Sequence, residues 1–329
     1  AGDGATLELD GFFGLHPTLA PLLPMYADGS MAVVHAAGNP GGSHSHFSAQ
    51  DAMERGREGV TSEASGWLGR HLSVHDSDNR SLFRALALGP AVQTALAGEV
   101  PAFALEDATS FALDLRRADP TRVREAMLEL YDRPGDPLDV TARHAFDAMD
   151  LLAGLEGPGD DAGYPASPLG ASLATLSTMI KAGLGVEVAS VDSGGWDHHD
   201  NLAAEIDGRL ADLAASLTAF VADLGAQMER VTIVVMTEFG RRAAENASRG
   251  TDHGQGALML ALGAGVQGGR VYGEWPGLEA AALSGPGDLS VTTDYRAVLG
   301  ELLARRLGST SLDTVFPDYT MPEFLGVFG

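Results

Sequence analysis

The chain of 329 residues contains no cysteine. Disulfides, iron–sulfur clusters, thiolate metal sites and cysteine nucleophiles are therefore excluded, and the absence suits an oxidising compartment without requiring one. Lysine occurs once, at Lys181; the other basic side chains are arginines, a skew that reads as genome composition rather than chemistry. No run of 18 or more apolar residues occurs, so nothing reads as a membrane-spanning helix. Positive charge is scarce, with 21 Lys plus Arg against 45 Asp plus Glu and a formal net charge of -24. Such a surface repels phosphate backbones and anionic membranes, which argues against nucleic acid as a partner. The chain opens on Ala-Gly-Asp-Gly with no initiator Met and no signal peptide, which predicts a processed or trimmed N-terminus.

What is present is globular: 45% hydrophobic and 20% charged residues. Short, nearly continuous apolar runs predict buried strands at 31–37, 85–88, 102–105, 186–191, 231–236 and 257–262. Unbroken apolar character, rather than alternation, points to strands covered on both faces, as in a parallel sheet. Helical periodicity alternates with them. It is clearest over 201–228, where Leu202, Ile206, Leu210, Leu213, Leu217, Phe220 and Leu224 form one stripe. Further helices are expected at 47–55, 121–131, 293–307 and 167–182, the last with Ser167 as N-cap and Pro168 at the first position. Residues 156–166 read as a loop, 278–290 as irregular, and about 107–164 as a helix-rich cap within a single domain spanning 1–329. The alternation predicts a layered α/β fold.

Four stretches carry candidate chemistry. Two predicted strands run into acids, Asp192 and Glu238, and ligands in open α/β sheets bind beyond the carboxyl ends of strands. The plainer reading is that each acid caps the next helix. The turn from Asp192 to Asp200 adds Asp197, His198 and His199, whose imidazoles offer neutral nitrogen ligands; adjacent histidines do not easily face one way, so one is expected to ligate. A His-rich surface turn is the alternative. Asp252 and His253, flanked by Gly250 and Gly254, form a third cluster. A mixed oxygen and nitrogen set suits zinc first, then manganese or calcium. Finally, His44, Ser45 and His46 precede a helix, so Ser43 or Ser45 is a helix cap or an activated nucleophile. Arg241 or Arg242 could clamp an anion, and Trp67 and Trp275 could stack on a sugar, although buried packing is the commoner use of tryptophan.

Residues 9–22 (LDGFFGLHPTLAPL), His-Ser-His-Phe at 44–47, SGWLGR at 65–70, the Gly-Gly-Trp-Asp-x-His turn, TEFGR at 237–241 and GTDHG at 250–254 together resemble the DUF1501 family, placed in the alkaline-phosphatase-like superfamily. The resemblance implies a doubly wound, mostly parallel sheet with helices on both faces. It also implies export to the periplasm or beyond, often by the twin-arginine route. The activity implied is metal-dependent hydrolysis of phosphate or sulfate esters, on a small-molecule or glycan substrate. Asp192, His198 and His253 resemble one metal site, with Asp197, His199, Glu238 and Asp252 as further candidates. Ser45, or a water activated by the ion, would be the nucleophile, His44 or His46 would move the proton or complete the metal shell, and Arg241 would hold the anion. Phe239 stands where the superfamily often has a histidine, which puts a second metal in doubt. Family members usually begin with a strand and a Gly-Gly-x-Asp-Gly turn that this sequence lacks. Neither Asp3 nor Asp10 follows a strand, so either that strand was removed or a separate N-terminal piece or partner supplies it. A non-catalytic binding or assembly protein with a degenerate metal site is the alternative.

Overall fold

A computed structural model describes residues 6–57, 64–75, 77–108, 111–113, 119–132 and 137–329. In chain order the elements are β1 (Leu7–Glu8), β2 (Gly14–Leu15), α1 (Leu23–Ala27), β3 (Met31–Gly38), α2 (His46–Arg55), α3 (Trp67–Val74), β4 (Ala85–Leu88), β5 (Phe103–Leu105), α4 (Pro120–Tyr131) and α5 (Pro137–Leu152). There follow α6 (Pro168–Lys181), β6 (Val188–Val191), α7 (Leu202–Leu224), β7 (Thr232–Val235), β8 (Ala257–Gly263), β9 (Val271–Tyr272), β10 (Thr293–Asp294), α8 (Tyr295–Arg306) and α9 (Leu312–Val315). Among the described residues no helix is long and apolar enough to cross a membrane. Asp3 lies outside the described residues, and Asp10 accepts hydrogen bonds from the Phe12 and Phe13 amides in a local turn.

The local chemistry sets the helix starts. The Ser167 hydroxyl accepts from the Gly170 amide at 3.0 Å, with Pro168 in the first turn, so α6 begins where a donor would otherwise be orphaned. Asp119 does the same for α4 through Thr121. The helix expected over 293–307 starts two residues later. Thr293 and Asp294 pair with Ala37 and Gly38 as β10, and the Asp294 carboxylate then accepts from the Arg296 amide.

Hydrogen bonding sorts the strands into three sheets, not one large doubly wound sheet. They are β1–β2, the parallel trio β5–β4–β6, and a five-stranded sheet ordered β10–β3–β8–β7 with β9 also on β3. The mostly parallel expectation holds for the trio, whereas the five-stranded sheet is mixed: β8 runs antiparallel to both β3 and β7. The reason lies in the connection. No helix separates β7 from β8, and a parallel pair needs a crossover that only such a segment supplies. Consequently the end of β7, the start of β8 and the end of β3 share one edge, with Ala37 opposite Ala257.

Side-chain alternation shows why these strands are apolar on both faces. Met31 and Val33, Leu86 and Leu88, and Leu260 and Leu262 enter one core with α5, α6 and α7. Their neighbours Ala32 and Val34, Ala85 and Ala87, and Met259 and Ala261 enter a second core with α3, α8 and α9. Helices therefore cover both faces of the strand layer, as period-two alternation requires. Within residues 107–164, α5 joins the first core through Ala148 and Leu152, while residues 109–110, 114–118 and 133–136 of that stretch lie outside the described set. Near the shared edge, β3 breaks register between Val34 and Ala37, and the buried Ala36 takes a φ of 46°, a left-handed value costly for a non-glycine residue.

Candidate metal centre

Three loops meet at this edge. The loop after β3 supplies His44, Ser45 and His46, the turn after β6 supplies Asp197 to His199, and the β7–β8 connection supplies Glu238 to His253. Glycines make the approach close. A β-carbon on Gly240 would fall 1.8 Å from the Gly256 carbonyl oxygen, and one on Gly250 would fall 2.2 Å from His199 backbone carbon. The amide of Gly240 donates to the Gln255 carbonyl, that of Gly254 to Gly240, and that of Thr251 to His198. The glycines of TEFGR and GTDHG are thus where two backbones touch.

Among the described residues, His46, Asp197 and His253 form a group able to share a metal ion, with ligand atoms all within 4.8 Å of one another. His253 Nε2 stands 2.9 Å from Asp197 Oδ1, and His46 Nε2 stands 3.2 Å from Asp197 Oδ2. Ligand atoms about 2 Å from a tetrahedral zinc ion stand about 3.3 Å apart, so the spacing is near that of a coordination shell.

The other ring nitrogens settle the tautomers. His253 Nδ1 lies 2.6 Å from the His44 carbonyl oxygen, which can only accept, so Nδ1 carries the proton. His46 Nδ1 donates to Glu238 Oε1 at 2.7 Å. With both rings neutral, each Nε2 therefore turns a lone pair toward the Asp197 carboxylate; His46 Nε2 is buried without a hydrogen-bond partner. Two imidazole lone pairs converging on a carboxylate repel unless a cation or added protons lie between them. Histidines tied back through Nδ1 to a carboxylate or carbonyl are the usual support of a metal site.

Without an ion, protons do the same work: burial pushes the Asp197 carboxyl up, but hydrogen bonds from Arg241, and from His253 and His46 when their Nε2 atoms carry protons, more than offset it and hold it well below the usual carboxylate range. Burial likewise raises Glu238, and the His46 hydrogen bond with that from Thr237 brings it below its ordinary value. His46 is raised, chiefly by the Glu238 hydrogen bond.

The remaining candidates fall around this centre. His199 Nε2 lies 2.9 Å from both Asp197 Oδ1 and His253 Nε2. His198 faces away, buried, with Nδ1 3.1 Å from the Trp196 carbonyl, as adjacent residues in an extended loop require. Asp192 is exposed, accepts from Gln93 at 2.9 Å and does not join the His46–Asp197–His253 group. Asp252 binds Asn246 and Arg242, at 3.0 and 3.1 Å. Arg241 spends its guanidinium on Asp197, at 2.6 Å, and on the carbonyls of Trp196 and Thr251. Ser45 is exposed at the start of α2, and its hydroxyl makes no capping bond. Phe239 packs against both His46 and His253, with centroids 4.9 and 4.5 Å away. Trp67 stacks in the core on Phe316, whereas Trp275 is partly exposed beside Phe12, Phe13 and His35. One residue gave no warning in the sequence: Asp288, fully buried, takes His44 Nε2 at 2.7 Å. A lone acid after Gly-Pro-Gly reads as a turn, and only the fold reveals its partner.

Searches of curated proteins and of solved structures returned no match to this chain. A family model described as "Protein of unknown function (DUF1501)" matches residues 28–315, a span that contains all three loops of the centre. The chain belongs to the DUF1501 family.

Proposed function

We propose that this protein is a metal-dependent hydrolase of phosphate or sulfate esters, with its ion held by His46, Asp197 and His253. The observation that carries the reading is the pair of Nδ1-tethered imidazoles aiming Nε2 at one carboxylate. A divalent ion bound there supplies a Lewis acid that polarises the ester and lowers the pKa of an attacking hydroxyl. Ser45 is the nucleophile in this reading, supported by its hydroxyl standing one residue from His46 and free of helix capping. His44, held by Asp288, is placed to move the proton. Arg241 holds Asp197 in place instead of clamping the anion. The likeness of its motifs to the alkaline-phosphatase-like superfamily, and a location outside the cytoplasm, belong to the same proposal, the latter supported by the absence of cysteine.

A second reading is favoured by Phe239, whose ring fills the space beside both imidazoles where a second ion's ligand would stand. On that reading the chain is a binding or assembly protein with a degenerate metal site. Elemental analysis of purified protein, followed by chromogenic phosphate and sulfate esters on wild type, Asp197→Asn, His253→Ala and Ser45→Ala, separates the two. Turnover lost in all three variants supports the hydrolase. Folded protein without turnover, with or without a bound metal, supports the second reading, and no bound metal removes the first.

A further inference from the structure

The three imidazoles around Asp197 are not held alike. His253 and His46 are tied through Nδ1 to oxygens at 2.6 and 2.7 Å, whereas His199 Nδ1 is 3.5 Å from Asp252 Oδ1. A contact of that length orients a ring weakly. His199 is also the most exposed of the three side chains, at 45% against 37% for His46 and 19% for His253. Its backbone, by contrast, is fixed: the carbonyl accepts from Asn246 at 2.9 Å, Gly250 abuts it, and the next residue, Asp200, pairs with Arg249. The chain is therefore fixed at His199, and of the two ring nitrogens it is Nε2 that is engaged, 2.9 Å from two members of the metal group.

We infer that His199 is a fourth, exchangeable protein ligand, turning its ring toward an ion held by His46, Asp197 and His253 to complete the shell and giving up that position when an oxyanion arrives. This rests on the metal reading above and adds to it a distinction. Sites closed by four protein ligands are structural, and sites with three plus an open position are catalytic. Here one loosely tethered ligand allows both states. Asp252 sets how readily the ring leaves, because it is the group that faces His199 Nδ1.

Cobalt(II) replaces zinc in such sites and reports its own coordination through visible absorption. Full-length protein would be titrated with Co(II) as wild type, His199→Ala, His199→Gln and His253→Ala, with inorganic phosphate added at the end. Expected for wild type is an intense tetrahedral spectrum that changes when phosphate is added. Expected for both His199 variants is retained binding, weaker by on the order of tenfold, with a resting spectrum already altered and partly restored by free imidazole. His253→Ala should bind far more weakly still. Identical spectra and affinities in wild type and the His199 variants would overturn the inference while leaving the three-residue site standing. Loss of binding in the His199 variants as complete as in His253→Ala makes His199 a permanent ligand and also overturns it. No Co(II) binding by folded wild type removes the metal reading itself.

Discussion

At Gly240 a missing β-carbon lets two chain segments meet, and at Gly208 it does nothing of the kind. Alanine at 240 would press on the Gly256 carbonyl, so Gly240→Ala should cost about 3 kcal/mol in urea unfolding and lower metal binding. Gly208 is exposed in α7, and a β-carbon added there would meet nothing within 4 Å, so the same change should gain about 1 kcal/mol. His71 makes a second residue-scale prediction. It is fully buried, neither ring nitrogen has a partner, and burial with the neighbouring His75 charge lowers its pKa to about 4. Between about pH 6.5 and 4 the unfolded chain binds a proton that the folded chain refuses, so stability falls as pH falls through that window. From pH 7.5 to 5 this amounts to about 2 kcal/mol. His71→Leu should flatten that limb of the urea midpoint against pH; an unchanged slope would count against it. At this scale the sequence offered His46, Asp197 and His253 among its candidates by their crowding. It set Asp192 and His198 ahead of Asp197, because which side chain of a glycine-rich turn faces inward depends on the path of the turn.

Among the elements, α6 and α7 are joined by an acid and the chain's one lysine. Asp223 takes Lys181 Nζ at 2.6 Å, the Ser177 hydroxyl at 2.5 Å and the Tyr164 hydroxyl at 3.1 Å. Lys181 is partly exposed, so Lys181→Met should cost under about 1 kcal/mol. Asp223→Ala strands the buried Ser177 hydroxyl and the Tyr164 hydroxyl together and should cost about 2 kcal/mol in denaturant unfolding. Equal losses would mean that the ion pair, not the hydroxyls, holds the helices. The strands were readable at this scale because each is covered on both sides, which leaves an unbroken apolar run. Their sense was harder to read: the direction of β8 turns on the lack of a helix in 236–256, a stretch whose chemistry draws the eye before its missing periodicity does.

Over the whole molecule a net charge of -24 opposes compaction. Raising salt from about 0.01 to 0.15 M shortens the screening length from about 30 to 8 Å. The thermal midpoint should therefore climb, by roughly 2–4 °C for each kcal/mol of repulsion removed, while sucrose at equal osmolality should not reproduce the dependence on ionic strength. Under the hydrolase proposal an anionic ester would meet the same field, so its kcat/KM should rise over the same range.

The tethers of the centre join residues 192 and 209 positions apart. Contacts of such long range form only after the intervening chain has been gathered in. A refolding chain would thus acquire its cation socket among its last events, and the ion would act as a clasp fastened on a nearly finished object. Adding a chelator should leave the early phases of refolding untouched and speed unfolding instead, so that the ion governs how long the native state lasts more than how it is reached.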